Sequence, residues 1–176
     1  FEWKRRAGSS NSPVVLQVSG LRTDNRVNGV DLELRQGEVL GIAGLMGSGR
    51  SELLRALFGI DRVTDGEILL RGQKVTIRNP KEAISLGLAL VPEDRRVQGL
   101  VLEHEVKDNI LLPSLARKRD VFVNDKMEKN LAETWVRNLN IKTDSIHKSA
   151  RLLSGGNQQK IVFAKWLAND PDILLL

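Results

Sequence analysis

Leu153-Ser-Gly-Gly-Asn-Gln-Gln-Lys160 is the stretch on which the fold of this 176-residue chain turns. A hydroxyl and two glycines stand before a helical apolar pattern at Ile161, Val162, Ala164 and Leu167. A helix start offers unpaired N–H groups and the positive end of a dipole, so it suits an anion. Ser154 adds a hydroxyl donor, and Gly155 and Gly156 allow close approach. Far upstream lies a second glycine-rich loop, Gly44-Leu45-Met46-Gly47-Ser48-Gly49-Arg50-Ser51, followed by Glu52. The apolar run from Glu38 to Ala43 reads as a buried strand leading into it. Leu53, Leu54, Leu57 and Phe58 then follow at helical spacing, with Gly59 as a C-cap. Downstream, Asp172-Ile-Leu-Leu-Leu176 reads as another buried strand.

Strand, glycine-rich loop, helix, serine–glycine signature and buried strand, in that order, resemble the nucleotide-binding domain of ATP-binding-cassette (ABC) proteins. The likeness is nearest to the second cassette of tandem-cassette ATPase subunits in bacterial monosaccharide importers of the ribose, galactose and xylose type. Gly44 to Glu52, Val91-Pro-Glu-Asp-Arg-Arg96 with Gly99-Leu100, and Asn157-Gln-Gln-Lys160 carry it. The resemblance implies an α/β chain with the P-loop NTPase ABC-cassette fold. Its expected parts are a parallel P-loop core, an N-terminal antiparallel β region and a helical insert over about residues 100–152. Residues 1–13, polar and basic, read as a linker, and residues 14–176 as the ATP-binding domain.

Composition fits one domain: 41% hydrophobic, 28% charged residues and no run long enough to span a bilayer. Zero cysteines exclude disulfides and thiolate metal sites. A net charge of +5 suits either an anionic partner or a basic solvated surface. The clusters Lys4-Arg5-Arg6 and Arg117-Lys118-Arg119 lack the interleaved aromatics of single-strand binders, so no nucleic acid partner is expected. A start without Met and an end on Ile173-Leu-Leu-Leu176 read as a piece of a longer protein, C-terminally incomplete before the Walker B acid and base.

Strands are expected at Val14 to Val18, Val30 to Leu34, Glu67 to Leu70, Lys74 to Ile77 and Leu88 to Val91. Asp65-Gly66 reads as a separator before the third of these. Helices are expected at Lys81 to Leu86 behind Pro80, Val106 to Leu115 and Lys126 to Leu139. In the last, Met127, Leu131, Trp135, Val136 and Leu139 share a face that reads as core. His104 and His147 read as surface residues.

The glycine-rich loop reads as a phosphate cradle, with a plain strand-to-helix turn as the alternative. Ser51 stands where a P-loop hydroxyl meets Mg²⁺. By resemblance Gly44, Leu45, Met46, Gly47, Ser48, Gly49, Arg50, Ser51 and Glu52 hold ATP. Arg50 replaces the Lys of the pattern; its planar fork keeps the charge but changes the reach. Glu93 takes the position of the Q-loop glutamine, where a carboxylate still suits Mg²⁺, and Arg95 and Arg96 can offset its charge. No aromatic lies between Val18 and Val30 to stack adenine, which leaves Arg22 or Arg26. The resemblance gives Ser154, Gly156 and Gln158 contacts in trans to the phosphate on a facing cassette.

ATP and Mg²⁺ are therefore the implied ligands. The implied partners are a second cassette in the same polypeptide, transmembrane permease subunits and, indirectly, a periplasmic or lipid-anchored sugar-binding protein. The implied place is peripheral, on the cytoplasmic face of the bacterial membrane. Two other readings stand beside this: a non-hydrolysing regulatory cassette of a nucleoside importer, and a chromosome-maintenance or repair ATPase. The latter needs long heptad helices between its motifs, and Ser51 to Leu153 shows none.

Overall fold

The computed structural model describes residues 12–24, 26–117 and 125–176. Most of the expected linker, Lys4-Arg5-Arg6 and the Lys118-Arg119 pair lie outside them. The chain forms two compact units, Phe1–Pro80 and Lys81–Leu176.

The first unit is built on a four-stranded antiparallel sheet in the order β2-β1-β3-β4. Its strands are β1 (Val14–Thr23), β2 (Asn28–Arg35), β3 (Val63–Leu70) and β4 (Gln73–Val75). Helix α1 (Arg50–Leu57) lies between β2 and β3 in sequence. Leu16, Val18, Leu21, Ile68 and Leu70 of the sheet are buried, as are Leu53, Ala56 and Leu57 of α1.

β1 is longer than its alternation suggests because its pairing register slips between Val18 and Leu21. Leu21 is buried out of phase with Leu16 and Val18, and Gly20 in the slip takes φ 59°. A bulge adds one residue and so resets a period of two. Gly66 lies directly against this bulge, where a Cβ would come 2.6 Å from the Gly20 carbonyl oxygen. Asp65-Gly66 is therefore inside β3, not a separator before it.

The expected buried strand from Glu38 to Ala43 is not formed; the segment is irregular and exposed. Val39 is 90% exposed, and Leu40 and Ile42 are 40% exposed. An apolar run becomes a strand only where neighbouring strands take its N–H and C=O groups. The sheet of this unit closes without it.

The second unit holds α2 (Pro80–Ser85), β5 (Leu88–Leu90), α3 (Val106–Arg117), α4 (Asp125–Asn138), α5 (Gly155–Leu167) and β6 (Ile173–Leu175). β5 and β6 pair in parallel, Leu88 to Leu90 against Ile173 to Leu175. α3 packs on α5 and α4. Ile110, Ile161, Val162 and Ala164 are fully buried at the centre. The core face expected on α4 is only partly covered: Met127 is 69% exposed, and Ala132 is its buried residue. A helical stripe predicts a face, but the neighbouring helices decide how much of it is covered.

A π-helical turn over Arg95–Gly99 follows β5. Asp94 caps it, its Oδ1 accepting from the N–H groups of Arg96 (2.8 Å) and Val97 (3.2 Å). Buried Asn109 fixes the next segment; its Oδ1 accepts from Val101 N, and its amide donates to the carbonyls of Val101 and Glu105. Lys165, 8% exposed, donates from Nζ to the Gly99 carbonyl at 3.0 Å.

Burial pushes the Lys165 pKa below its ordinary 10.5. Below the lowered value both states are charged, and the native state bears the burial penalty. Between that value and 10.5 the unfolded chain binds more protons, so stability rises with pH. Thermal melts of wild type and Lys165→Met, followed as the pH rises towards 10.5, should show wild type gaining relative to the variant. A constant or opposite difference would contradict the buried cation.

Candidate functional site

The glycine-rich loop of the first unit turns through Leu45 to Ser48, where Ser48 N donates to Leu45 O at 3.1 Å. Gly47 has φ 81° and Gly49 φ 89°, conformations that side chains resist. Gly49 caps α1 and is buried; a Cβ there would sit 2.9 Å from the Arg26 carbonyl oxygen. The glycine thus lets the loop lie on the turn between β1 and β2.

Gly44, Leu45, Met46, Gly47, Ser48, Arg50 and Ser51 are all exposed. The N-cap residue, Gly49, makes no side-chain cap bond to the first N–H groups of α1. Exposed donors at a helix start, with an arginine and a serine in the first turn, form an anion-binding arrangement. Glu52 does not face this space alone: its carboxylate pairs with Arg26 at 3.6 Å.

Arg26 is the neighbour that sequence reasoning could only pair with Arg22 as an option. Its guanidinium lies 3.6 Å from where a Gly47 Cβ would be. Arg22 instead bonds Asn28 and lies against Gly29. Arg26 sits in the β1–β2 turn with φ 53°.

The second unit carries the other expected residues. Glu93 is exposed, two residues beyond β5 and its neighbour Val91. The signature turn begins α5, with Ser154 as N-cap at φ −62° and ψ 156°. Ser154 is exposed, and its Oγ accepts from Asn157 Nδ2 at 3.0 Å. Asn157 Oδ1 accepts in turn from Lys142 N, which fixes the amide. Gly156 is exposed, with open space where a Cβ would point.

Gln158 differs from the expectation of a nucleotide contact. It is 4% exposed, and its Nε2 donates to the carbonyls of Ala150 (3.2 Å) and Leu153 (3.1 Å). On a helix the fourth residue returns beneath the first turn. Here Gln158 fastens that turn from inside, which leaves Ser154 and Gly156 as its outward groups.

Arg95 is a residue whose place the sequence did not reveal. Its guanidinium lies on Gly155, with Nη2 2.6 Å from where a Cβ would be. His147 bonds Glu105 at 2.8 Å, and His104 is exposed, as surface residues. Among the described residues no cluster of three His, Cys, Asp or Glu could hold a metal. None of their helices is long and apolar enough to cross a membrane.

The sequence pattern of the ABC transporter family matches residues 27–176, which takes in both loops. This chain belongs to the ABC transporter family. A putative ribose/galactose/methyl galactoside import ATP-binding protein of Burkholderia ambifaria is 46% identical over 98% of this chain and 34% of its own length. The ribose import ATP-binding protein RbsA of Oceanobacillus iheyensis is 44% identical over 92% of the chain and 33% of its own length. The chain thus spans about a third of the length of these relatives. The ABC-cassette fold is shared with a solved ATP-binding cassette described as a dimer in a post-hydrolysis state with ADP and Pi. That structure has a TM-score of 0.74 and 22% identity, over 90% of this chain and 72% of its own.

Proposed function

We propose that this ABC cassette is the ATP-binding and ATP-hydrolysing part of an importer that brings a sugar across the bacterial cytoplasmic membrane. The observation that carries the reading is the pairing of two anion-suited helix starts in one chain. One is the exposed loop from Gly44 to Ser51, with left-handed Gly47 and Gly49. The other is the signature turn, with Ser154 and Gly156 outward. Supporting it, the relatives named above are called sugar-import ATP-binding proteins.

In this reading the first loop holds the phosphates of ATP. Ser51 serves Mg²⁺, a cation that keeps several waters and phosphate oxygens and so asks little of the protein, and Glu93 keeps the metal role that its Q-loop position implies by resemblance. The first unit presents the Ser51 hydroxyl exposed in the first turn of α1, which fits such a ligand. Ser154 and Gly156 complete the site of a second cassette, in the same polypeptide. Transmembrane permease subunits and a sugar-binding protein complete the importer, and the cassette sits peripherally on the cytoplasmic face.

Arg50 and Glu93 favour a refinement: a cassette that binds nucleotide and supports its partner more than it turns over itself, in a sugar or nucleoside importer. The test is uptake by the full-length protein with its permease and binding protein in vesicles. ATP should drive uptake of ribose, galactose or methyl galactoside. Arg50→Lys should change the rate by less than about threefold, since charge is retained. Uptake of nucleosides instead would reassign the cargo, and no ATP-driven uptake of either class would sink the reading. A loss with Arg50→Lys as complete as that from removing the companion cassette's P-loop lysine would make Arg50 catalytic.

A further inference from the structure

We propose that Arg95 is an anion-binding residue of the signature. It supplies the guanidinium that joins Ser154 and the N–H groups of Gly155 and Gly156 around the terminal phosphate of a nucleotide on a facing cassette. This rests on the reading of Leu153 to Gln158 as a signature acting in trans.

Arg95 stands 60 residues before Gly155 in the chain, yet its guanidinium covers that glycine. The guanidinium occupies the space that a side chain at 155 would take: an added Cβ would meet Nη2 at 2.6 Å, and the end of Arg95 would have to shift. The π-helical turn aims it there, packed on α5 through Gly99, where a Cβ would lie 3.0 Å from Val162. Lys165 on α5 ties the same turn through the Gly99 carbonyl.

The charge is unspent. Among the described residues no acceptor or carboxylate pairs with Arg95, and its Nε is buried without a partner. Asp94, the adjacent acid, is committed to capping its own turn. Other basic groups on the signature side are engaged: Lys160 donates to the Asn140 carbonyl, and Arg151 pairs with Glu103 at 3.4 Å. A partly buried guanidinium without a counter-ion, beside a helix start and an exposed hydroxyl, matches a phosphate in charge and geometry. Its half-burial also shields it from salt more than an open surface would.

The experiment uses the full-length protein with its companion subunits in vesicles, with MgATP as substrate and orthovanadate as phosphate mimic. Arg95→Gln should raise the KM for MgATP and the half-inhibitory vanadate concentration by about tenfold each, the effect of losing one charged hydrogen bond. Arg95→Lys should recover most of both, with melting temperatures close to wild type in all. Gly156→Asp serves as the reference for the signature itself. If Gly156→Asp is inactive while Arg95→Gln keeps wild-type KM and vanadate sensitivity, the role of Arg95 is overturned alone. Full activity in Gly156→Asp removes the signature reading and this inference with it. Equal losses in the Gln and Lys variants, tracking a fall in melting temperature, would show packing and not charge, and overturn it too.

Discussion

Gly156→Asp in the full-length protein should reduce ATP-driven uptake by roughly a hundredfold or more, the scale of losing preorganised charge stabilisation at a reacting phosphate. The substitution is sterically free: nothing lies within 4 Å of where the Cβ would point. Gly156 does not have the positive φ that would strain another residue. An acid in the first turn of α5 also complements the helix dipole, so the fold should hold. On the proposed reading the substitution adds a carboxylate beside Ser154, where a nucleotide phosphate of a second cassette would lie, and charge repulsion is strongest where water is scarce. Arg50→Ala removes an exposed cation from a loop whose pattern is already altered, and should cost only several-fold. Uptake in vesicles, with both variants assembled to equal levels, decides the matter. Equal losses, or a larger one from Arg50→Ala, would end the asymmetric reading of the two motifs.

Gly49→Ala should destabilise the first unit by about 3 kcal/mol and abolish MgATP binding. Two costs combine. At φ 89° an alanine is in the left-handed region, which costs about 1–2 kcal/mol. Its Cβ would also sit 2.9 Å from the Arg26 carbonyl oxygen, so the turn or the loop must move. Gly37→Ala separates the two effects: φ is 75° there, with nothing within 4 Å, so only the conformational cost of about 1 kcal/mol applies. Denaturant unfolding and calorimetric nucleotide titration of both variants provide the measurement. Equal stability losses, or undiminished binding in Gly49→Ala, would show that the contact with Arg26 does not hold the loop.

Helix and motif positions were legible for local reasons. α1 and α5 announce themselves through apolar spacing and glycines at their starts. The hairpin from β3 into β4 follows from Arg71-Gly72, whose φ values are 49° and 77°. β1 was only half legible, because the bulge at Gly20 shifts the period that marks a strand. The strand expected at 38–43 failed for a different reason. Its apolar residues state a preference, but a ladder needs partners that no local pattern supplies.

The sequence by itself determined the class of chemistry. Glycines at fixed offsets before a helix confer close backbone approach to an anion, and that is a property of the residues in order. It also determined the family, since both loops and the segment after β5 lie in one matching stretch, residues 27–176. Only the tertiary structure decided which side chains surround those loops. It turned Gln158 inward to hold the signature turn, chose Arg26 over Arg22 as the neighbour of the first loop, and laid Arg95 on Gly155. The physical reason is that the Arg26 and Arg95 contacts join residues far apart in the chain, and the inward turn of Gln158 follows from the burial of α5, so all are set by packing rather than by spacing alone.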